Sequence, residues 1–374
     1  MWGDVPIHGG RASDVRIAGS QKNNTRLRES HCQMKRVLVG FAAALMVLST
    51  FVYFVGAHDV AGALARANLP VFALAILSSF LALVCWGMVW NRVLSVVDHS
   101  VSRIKIGMIF LSGMFANFIT PFGQVGGEPF IALVLTKYSD IDYERALAAI
   151  IAADVINLIP FFSYGLLGFT YFVLTNSLNE TLETFVAAFV LAFVLSGVLL
   201  WTVWNRRGGV ERVVVAVTGG LRATVGRFSE TAHELLEPDA VRLRVEEFFN
   251  MLDFIWDHRR KMVYAVVLSH VGWFFTIVPL YIAAVALGLD VPFMYVLFIV
   301  PLGSIAGYLP LPGGLGSVEV MLAAVIVSVT SLGLPAATAT AILYRIAVYW
   351  FTLLIGGLSL SYLSAGLYEL ERET

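Results

Sequence analysis

Long runs of hydrophobic residues, separated by short polar stretches, fill the chain from about residue 37 to residue 363. Six of these runs are long enough, at about 20 residues, to cross the hydrocarbon core of a bilayer as helices. They are residues 37–55, 70–90, 145–174, 184–204, 262–287 and 335–363. The pattern predicts an all-α polytopic membrane protein, because a helix satisfies its own backbone hydrogen bonds in lipid.

Two further apolar stretches are each interrupted by proline and glycine. The breaks are Pro121–Gly127 and Leu309–Gly316, and a shorter apolar arm lies on each side of them. The arms are residues 106–120 and 128–136 in the first stretch, and 293–308 and 317–330 in the second. Irregular backbone at membrane depth is tolerated only where protein or water surrounds it. We therefore predict two re-entrant hairpins beside the six spans, or eight or more spans if the arms are counted as spans.

The two breaks share one sequence pattern, Pro-x-Gly-x4-Glu. It runs from Pro121 to Glu128 and, 191 residues later, from Pro312 to Glu319. Asp154 and Arg345 follow the glutamates of the first and second copies by the same 26 residues. A register kept over this length predicts an internal duplication, with residues 34–174 and 175–363 as the two membrane repeats. Each repeat has an odd number of spans, so we expect an inverted repeat.

The second repeat is interrupted by a hydrophilic insert, residues 205–261. Within it, Val241, Val245, Phe248, Leu252 and Ile255 fall on one stripe of a helix. We predict cytoplasmic amphipathic helices on the membrane surface or under the bundle. A solvated helical linker with a modest packing face remains an alternative. At the ends, we predict a disordered N-terminal extension over residues 1–33 and a cytoplasmic tail over residues 364–374.

Composition and charge strengthen the membrane prediction. The chain is 58% hydrophobic and 14% charged, whereas soluble domains carry about 25% charged residues. In the predicted topology, 23 of the 25 Lys and Arg residues fall on one side. The positive-inside rule then places both termini in the cytoplasm of a multi-pass cell-membrane protein. Cys32 and Cys85 offer no disulfide framework or metal cluster, and we predict no metal, no cofactor and no nucleic-acid partner.

Four ionisable side chains lie within the apolar framework: Glu128, Asp154, Glu319 and Arg345. Each costs roughly 2.5–3.5 kcal/mol to insert, so a functional role is the default hypothesis. The guanidinium of Arg345 suits a carboxylate or a phosphate, and glycine-rich breaks can expose N–H groups that attract anions. The predicted substrate-binding residues are Glu128, Glu319, Arg345, Asp154, Asn157, Gln124, Gly126, Gly127, Gly313, Gly314 and Gly316. Three acids against one base also suggest proton or cation coupling.

Each of these residues also has a structural alternative. Arg345 could pair with Glu319 or Asp154 and lock the bundle. Glu319 could cap its own helix together with Ser317. Asp154 and Asn157, three residues apart on one helical face, could hold neighbouring helices together. Structural and functional roles can coexist at these positions.

The stretch Leu309–Glu319, which contains the second break, reads Leu-Pro-Leu-Pro-Gly-Gly-Leu-Gly-Ser-Val-Glu, with Tyr344-Arg345 downstream. It resembles the flippase-like family of integral membrane proteins, also called the lysylphosphatidylglycerol synthase transmembrane region. Pro121–Glu128 fits the family's earlier signature and looks like an archaeal-type variant. The chain departs from the family at Ala153-Asp154, where members often carry Glu-Arg. The resemblance implies movement or presentation of lipids with bulky charged headgroups.

Three functions follow as hypotheses. The first is a flippase-like protein that binds and translocates a lipid with an anionic or charged headgroup, either a phospholipid or a polyprenyl-phosphate-linked lipid. It would use a midplane site between the two hairpins. The second is a membrane-embedded enzyme or enzyme subunit acting on polyprenyl-phosphate lipids in glycan synthesis. The third is a non-catalytic scaffold, which would have a dry, closed centre.

Overall fold

The computed structural model describes residues 41–97, 101–120, 124–138, 141–175, 180–225 and 236–373. Every regular element within these ranges is helical. The α-helices are α1 (Phe41–Ala65), α2 (Leu69–Val97), α3 (Arg103–Ile119), α4 (Gln124–Tyr138), α5 (Tyr143–Thr175), α6 (Glu180–Asn205), α7 (Arg207–Val225), α8 (Pro238–Asp257), α9 (Arg259–Ala286), α10 (Phe293–Ser304), α11 (Ser317–Val329), α12 (Leu334–Arg345) and α13 (Phe351–Glu373). The predicted extension at residues 1–33 and the start of the first break, residues 121–123, lie outside the described residues.

Apolar side chains cover much of the outer surface of the helix bundle. Phe54 on α1 and Leu174 on α5 are each 81% exposed, and Leu199 on α6 is 63% exposed. Among the described residues, seven helical stretches are long and apolar enough to cross a membrane: one for each of the six predicted spans, and Pro312–Val329, which joins the 3₁₀ turn of the second break to the helix after it. Such a surface is stable in lipid and not in water. The prediction of an all-α, multi-pass integral membrane protein is confirmed.

The helices α2 and α9 form the most extensive helix–helix contact of the bundle. The Ser78 hydroxyl of α2 donates a hydrogen bond of 2.8 Å to the Phe275 carbonyl of α9. On either side, α10 packs on α5 and α3 packs on α13. Glycines allow these two contacts to be close. A Cβ at Gly168 would lie 2.8 Å from the Phe298 backbone nitrogen, and one at Gly356 would lie 2.5 Å from the Leu111 carbonyl oxygen.

The second break is an irregular segment between α10 and α11. A 3₁₀ turn at Ile305–Tyr308 follows α10, and a second one at Pro312–Gly314 comes before α11. Gly313 has φ +54° and Gly316 has φ +87°, which are conformations that side chains with a Cβ rarely adopt. The thirteen residues of α11 therefore form an α-helix of only about 20 Å.

The last span contains a second irregularity. A π-helical turn, Ile346–Trp350, separates α12 from α13 and begins directly after Arg345. A π turn holds one more residue than an α turn and is often found at functional sites. The span is otherwise continuous as a helix from Leu334 to Ala365.

Two helices, α7 and α8, occupy the insert that interrupts the second half. Val241, Leu252 and Ile255 of α8 are buried, and α8 packs on α5. Val245 and Phe248 of the predicted stripe are partly buried against the same core. The stripe thus serves as a packing face under the bundle.

The first helix is longer at its C-terminal end than the apolar run 37–55 suggested. Helical residues continue to Ala65 and include His58 and Asp59, but Gly56, directly after the apolar run, has a non-helical φ of +110°. Hydrophobicity ends where a helix leaves the hydrocarbon, but helical structure can continue beyond that point.

Several ion pairs hold the insert, and the one with the shortest contact leads to a prediction. Arg207 Nη1 and Nη2 donate to the two carboxylate oxygens of Asp253 at 2.6 and 2.7 Å. This hydrogen bonding to Arg207 holds the pKa of Asp253 below its usual range. The pair's stabilisation is therefore fully present above the ordinary carboxyl pKa, about 3.9, and is lost as pH falls through the lower folded pKa.

We expect Asp253→Asn to loosen α7 from α8 at neutral pH. The loss should stay below about 1 kcal/mol, because both side chains are partly exposed and screened. Hydrogen exchange of the α7 amides measures it. Asp239→Asn, which removes a more exposed partner of Arg242, is the matched control. Identical exchange of α7 in the two variants would show that the Arg207–Asp253 pair does not hold the insert.

Candidate functional site

A cavity of about 410 Å³ lies among helices from both halves of the chain. Its wall is mostly apolar and aromatic, and it includes three tryptophans, Trp86, Trp90 and Trp273. The polar and charged residues that line it are Asn117, Glu128, Asp154, Asn157, Thr276, Ser304, Tyr308, Tyr344, Arg345 and Thr352. Gly313 of the second break also lines the wall. The two motifs, 191 residues apart in sequence, thus meet at one space.

Three groups fix the side chain of Arg345 beside the cavity. Its Nε donates to Glu319 Oε1 at 2.8 Å, and its Nη2 donates to the Gly313 carbonyl at 2.7 Å. The guanidinium carbon also lies 4.2 Å from the ring centroid of Tyr349. Such contacts fix the plane of the guanidinium. Arg345 is only 7% exposed but still lines the cavity.

Glu319 lies behind Arg345 and is 1% exposed. Besides pairing with Arg345, its other carboxylate oxygen accepts a hydrogen bond of 2.7 Å from the Gly316 N–H. Both structural alternatives for Glu319, ion pairing and helix capping, are therefore present. The Ser317 hydroxyl does not take part in the cap, because it donates to the carbonyls of Ala306 and Gly314. Glu319 positions Arg345 and does not itself line the cavity.

The glycines of the second break divide into two groups. Gly313 lines the cavity. The N–H of Gly314 donates to the Leu311 carbonyl, and that of Gly316 donates to Glu319. These two N–H groups are therefore engaged inside the loop. They are therefore not free to attract an anion, whereas Arg345 lines the cavity.

Glu128 on α4 and Asp154 on α5 line the same cavity, and their carboxyl groups are close enough to interact. Two carboxyl groups that share an apolar space resist being ionised together, which favours a state in which they share one proton. The two motif glutamates thus have equivalent partners, because each contacts the residue 26 positions after it, Glu128 with Asp154 and Glu319 with Arg345.

The remaining predicted residues lie around this carboxyl pair. Asn157 lines the cavity and accepts a hydrogen bond from Ser269 on α9, so it also joins two helices. Gly127 is buried so closely against Asn117 that a Cβ would overlap the Asn117 side chain. Gln124 and Gly126 belong to the first turn of α4, and their side-chain surroundings lie outside the described part of the chain.

The sequence interpretation missed Tyr349. It is fully buried, it contacts Gly313, and its hydroxyl donates to the Phe118 carbonyl at the end of α3 at 3.4 Å. Tyr349 therefore joins the two breaks through one side chain. Its position four residues after Arg345, on the same helical face, was the available signal.

Asn117 and Tyr308 were missed as well, although they lie 191 residues apart and thus share one register in the two repeats. Both line the cavity. The Asn117 side-chain oxygen is buried, and within the described residues it has no hydrogen-bond partner. Tyr308 lines the cavity although it is 60% exposed. The equal spacing of these polar residues was the sequence signal for them.

The contact between Gly313 and Tyr349 leads to a prediction. We expect Gly313→Ala to destabilise the protein by about 2–4 kcal/mol, because alanine would be strained at φ +54° and its Cβ would overlap the Tyr349 ring. Thermal unfolding in detergent measures this change. Gly107→Ala, at a helical glycine with open space around it, is the control and should be near neutral. Equal unfolding temperatures for the two variants would contradict the assigned role of Gly313.

Comparison with known proteins gives a consistent result. Residues 37–356 match the family described as the lysylphosphatidylglycerol synthase TM region. A UPF0104 membrane protein of Methanothermobacter thermautotrophicus is 27% identical over 328 residues, which cover 87% of this chain and 95% of that protein. UPF0104 membrane proteins of Pyrococcus horikoshii and Methanocaldococcus jannaschii are 24% and 23% identical, each over 86% of this chain and over 94% and 93% of their own lengths. The chain therefore belongs to the family of lysylphosphatidylglycerol synthase TM regions, as the two glycine-glutamate motifs predicted.

Proposed function

We propose that the protein binds the anionic or otherwise charged headgroup of a membrane lipid in its central cavity and moves that headgroup across the bilayer. The lipid is a phospholipid or a polyprenyl-phosphate-linked lipid. The observation that carries the proposal is one cavity lined by Arg345 from the second half and by Glu128 and Asp154 from the first. Charged groups are kept inside a membrane protein at a cost, and they mark substrate paths.

The cavity combines the two properties that a lipid site needs. The guanidinium of Arg345 is a donor for phosphate oxygens. Around it, the aromatic wall of Trp86, Trp90, Trp273 and their neighbours offers contact to apolar parts of the substrate. A scaffold without a substrate would gain stability by filling this space, because empty volume costs packing energy.

The helix packing supports an inverted repeat. In the 191-residue register, α2 corresponds to α9, α3 to α10, and α5 to the span formed by α12 and α13. The helix contacts follow this correspondence. The related helices α2 and α9 pack on each other, and the contact of α10 with α5 corresponds to the contact of α3 with α13. A two-fold axis in the membrane plane would exchange the members of each pair. The substrate sites of such transporters lie at the interface of the repeats near the midplane.

Helix lengths support re-entrant hairpins. The four arms α3, α4, α10 and α11 have 17, 15, 12 and 13 residues. They are therefore about 18–26 Å long, shorter than the roughly 30 Å of a hydrocarbon core. In the proposed mechanism the two hairpins enter from opposite faces and act as gates on either side of Arg345. In this proposal both termini lie in the cytoplasm, which the one-sided distribution of Lys and Arg supports.

A reconstitution experiment tests the proposal. Purified protein is placed in vesicles that carry a fluorescent phosphatidylglycerol or, in a second series, a fluorescent polyprenyl phosphate. A membrane-impermeant quencher then reports how fast the inner-leaflet label reaches the outer leaflet. We expect wild-type protein to speed this movement and Arg345→Ala to slow it at least tenfold. Arg66→Ala, which removes an arginine outside the cavity wall, is the control. Equal rates in all three samples and in protein-free vesicles, for both lipids, would refute the proposed function.

A further inference from the structure

The charged groups around the cavity do not sum to zero. The Arg345–Glu319 ion pair is neutral as a unit. Glu128 and Asp154 line the same cavity as Arg345, and two neighbouring carboxyl groups that share one proton keep one negative charge on its wall. An anionic headgroup beside Arg345 would add a second negative charge to the same apolar space, where such charges repel each other more strongly than in water.

We propose that the Glu128–Asp154 pair takes up one proton from water whenever an anionic headgroup binds beside Arg345, so that headgroup and proton cross the membrane together. The proposal rests on the proposed function and adds its coupling ion. Before binding, the pair consists of one carboxylate and one carboxylic acid. The remaining carboxylate oxygen accepts a proton from solvent, and both groups become neutral acids. With a singly charged headgroup bound, the net charge of the cavity is then unchanged.

Geometry makes this pair the proton acceptor. The titratable and charged groups that line the same cavity from other elements are Arg345 and Tyr344 on the last span and Tyr308 after α10. Glu319 and Tyr349 contact Arg345 but do not line the cavity. Glu319 is already bonded to Arg345 and to the Gly316 N–H. The ring nitrogens of His270 contact the Val266 carbonyl and the Ser163 hydroxyl, and His270 is not part of the cavity wall.

The unpartnered oxygen of Asn117 fits the same role. It is buried, lines the cavity with the carboxyl pair, and can only accept a hydrogen bond. In the doubly protonated state each carboxyl group has an O–H to donate, and a hydroxyl of the pair or a water beside it can satisfy this oxygen. The site is therefore built to accept a second proton without creating a new unpaired donor.

Linkage fixes the expected pH dependence. If one proton is taken up for each headgroup bound, the affinity for the headgroup rises about tenfold for each unit by which pH falls, over the range where the pair takes up its second proton. By reciprocity, binding of the headgroup must draw protons out of solution. A probe of constant charge is needed to see this. Phosphatidylglycerol is suitable, because its phosphodiester lacks the second ionisation that phosphomonoesters show at a pH of about 6.

The experiment uses the full-length protein in nanodiscs of a zwitterionic phospholipid, titrated with short-chain phosphatidylglycerol. Tryptophan fluorescence reports binding, since Trp86, Trp90 and Trp273 line the cavity. A pH indicator in weakly buffered solution reports proton uptake.

We expect about one proton taken up per lipid bound. The double variant Glu128→Gln with Asp154→Asn should bind the probe with pH-independent affinity and no proton uptake. Asp142→Asn, at an exposed carboxylate near the start of α5, should behave like wild type.

The outcomes separate the coupling from the proposed function. Binding by wild-type protein without proton uptake overturns the coupling and leaves lipid movement in place. Binding to wild type at no pH, together with no lipid movement in vesicles, overturns both. If the double variant does not fold, the proton count of the wild-type protein decides the question alone. A double variant that folds and still takes up a proton assigns the proton to another group and overturns the role of the pair.

Discussion

Replacing Arg345 by leucine is expected to destabilise the protein by about 3–5 kcal/mol. The reason is the state in which the substitution leaves Glu319. That carboxylate is 1% exposed, and Arg345 is its charged partner. Removing one member of a buried pair strands the other charge away from water. Denaturation in detergent, followed by fluorescence or by loss of monodisperse protein on heating, measures the effect.

A second substitution separates the structural role of Arg345 from its binding role. The double variant Arg345→Leu with Glu319→Leu has no stranded charge, so we expect it to recover most of the lost stability. It should still fail to move lipid, because the cavity has lost its guanidinium. A double variant as unstable as the single one would mean that the pair is not what destabilises Arg345→Leu. A stable double variant that moves lipid at the wild-type rate would remove Arg345 from the site.

The second large effect is expected at the glycines where the helix before each break, α3 or α10, packs on a long span, α13 or α5. Gly168→Leu and Gly356→Leu should each destabilise the protein by about 3 kcal/mol or more, because the new side chains would meet backbone atoms and not flexible side-chain ends. The first separates α10 from α5, and the second separates α3 from α13. Thermal unfolding in detergent measures both.

Gly197→Leu on α6 is the matched control for these two variants. Gly197 is exposed, and a Cβ there meets no atom within 4 Å. The same substitution should therefore be close to neutral. Comparable losses at Gly168 and Gly356 would support the exchanged packing of two related halves. A large loss at Gly197, or none at the other two positions, would show that close helix contact at these glycines does not hold the bundle together.

Hydrophobic periodicity was sufficient to predict the helical membrane fold, because lipid leaves the backbone few options. The apolar runs 70–90, 145–174 and 262–287 lie within or nearly within α2, α5 and α9. The second break was also predictable, since only glycine readily takes the positive φ angles found at Gly313 and Gly316. Helix ends beyond the hydrocarbon were not, as the continuation of α1 to Ala65 shows.

The sequence predicted which residues belong to the candidate site but not which of them line the cavity and which lie behind it. Charge in an apolar run identified Glu128, Asp154 and Arg345, which line one cavity. It could not show that Glu319 stands behind Arg345, since both residues have the same kind of sequence surroundings. Tyr349 was missed because an aromatic residue in a membrane span has many possible roles. Its contacts with Phe118 and Gly313 depend on long-range packing.

The π turn after Arg345 changes the directions in which the two parts of the last span present their residues. In an unbroken α-helix, Arg345 and Gly356 would point within about 20° of the same direction, because eleven residues come close to three full turns. The additional residue in the turn Ile346–Trp350 offsets the two parts of the span by up to about 100°. Arg345 can thus point into the cavity while Gly356 faces α3. If that turn migrated by a few residues along the span, the guanidinium would swing sideways while the span kept nearly all its hydrogen bonds.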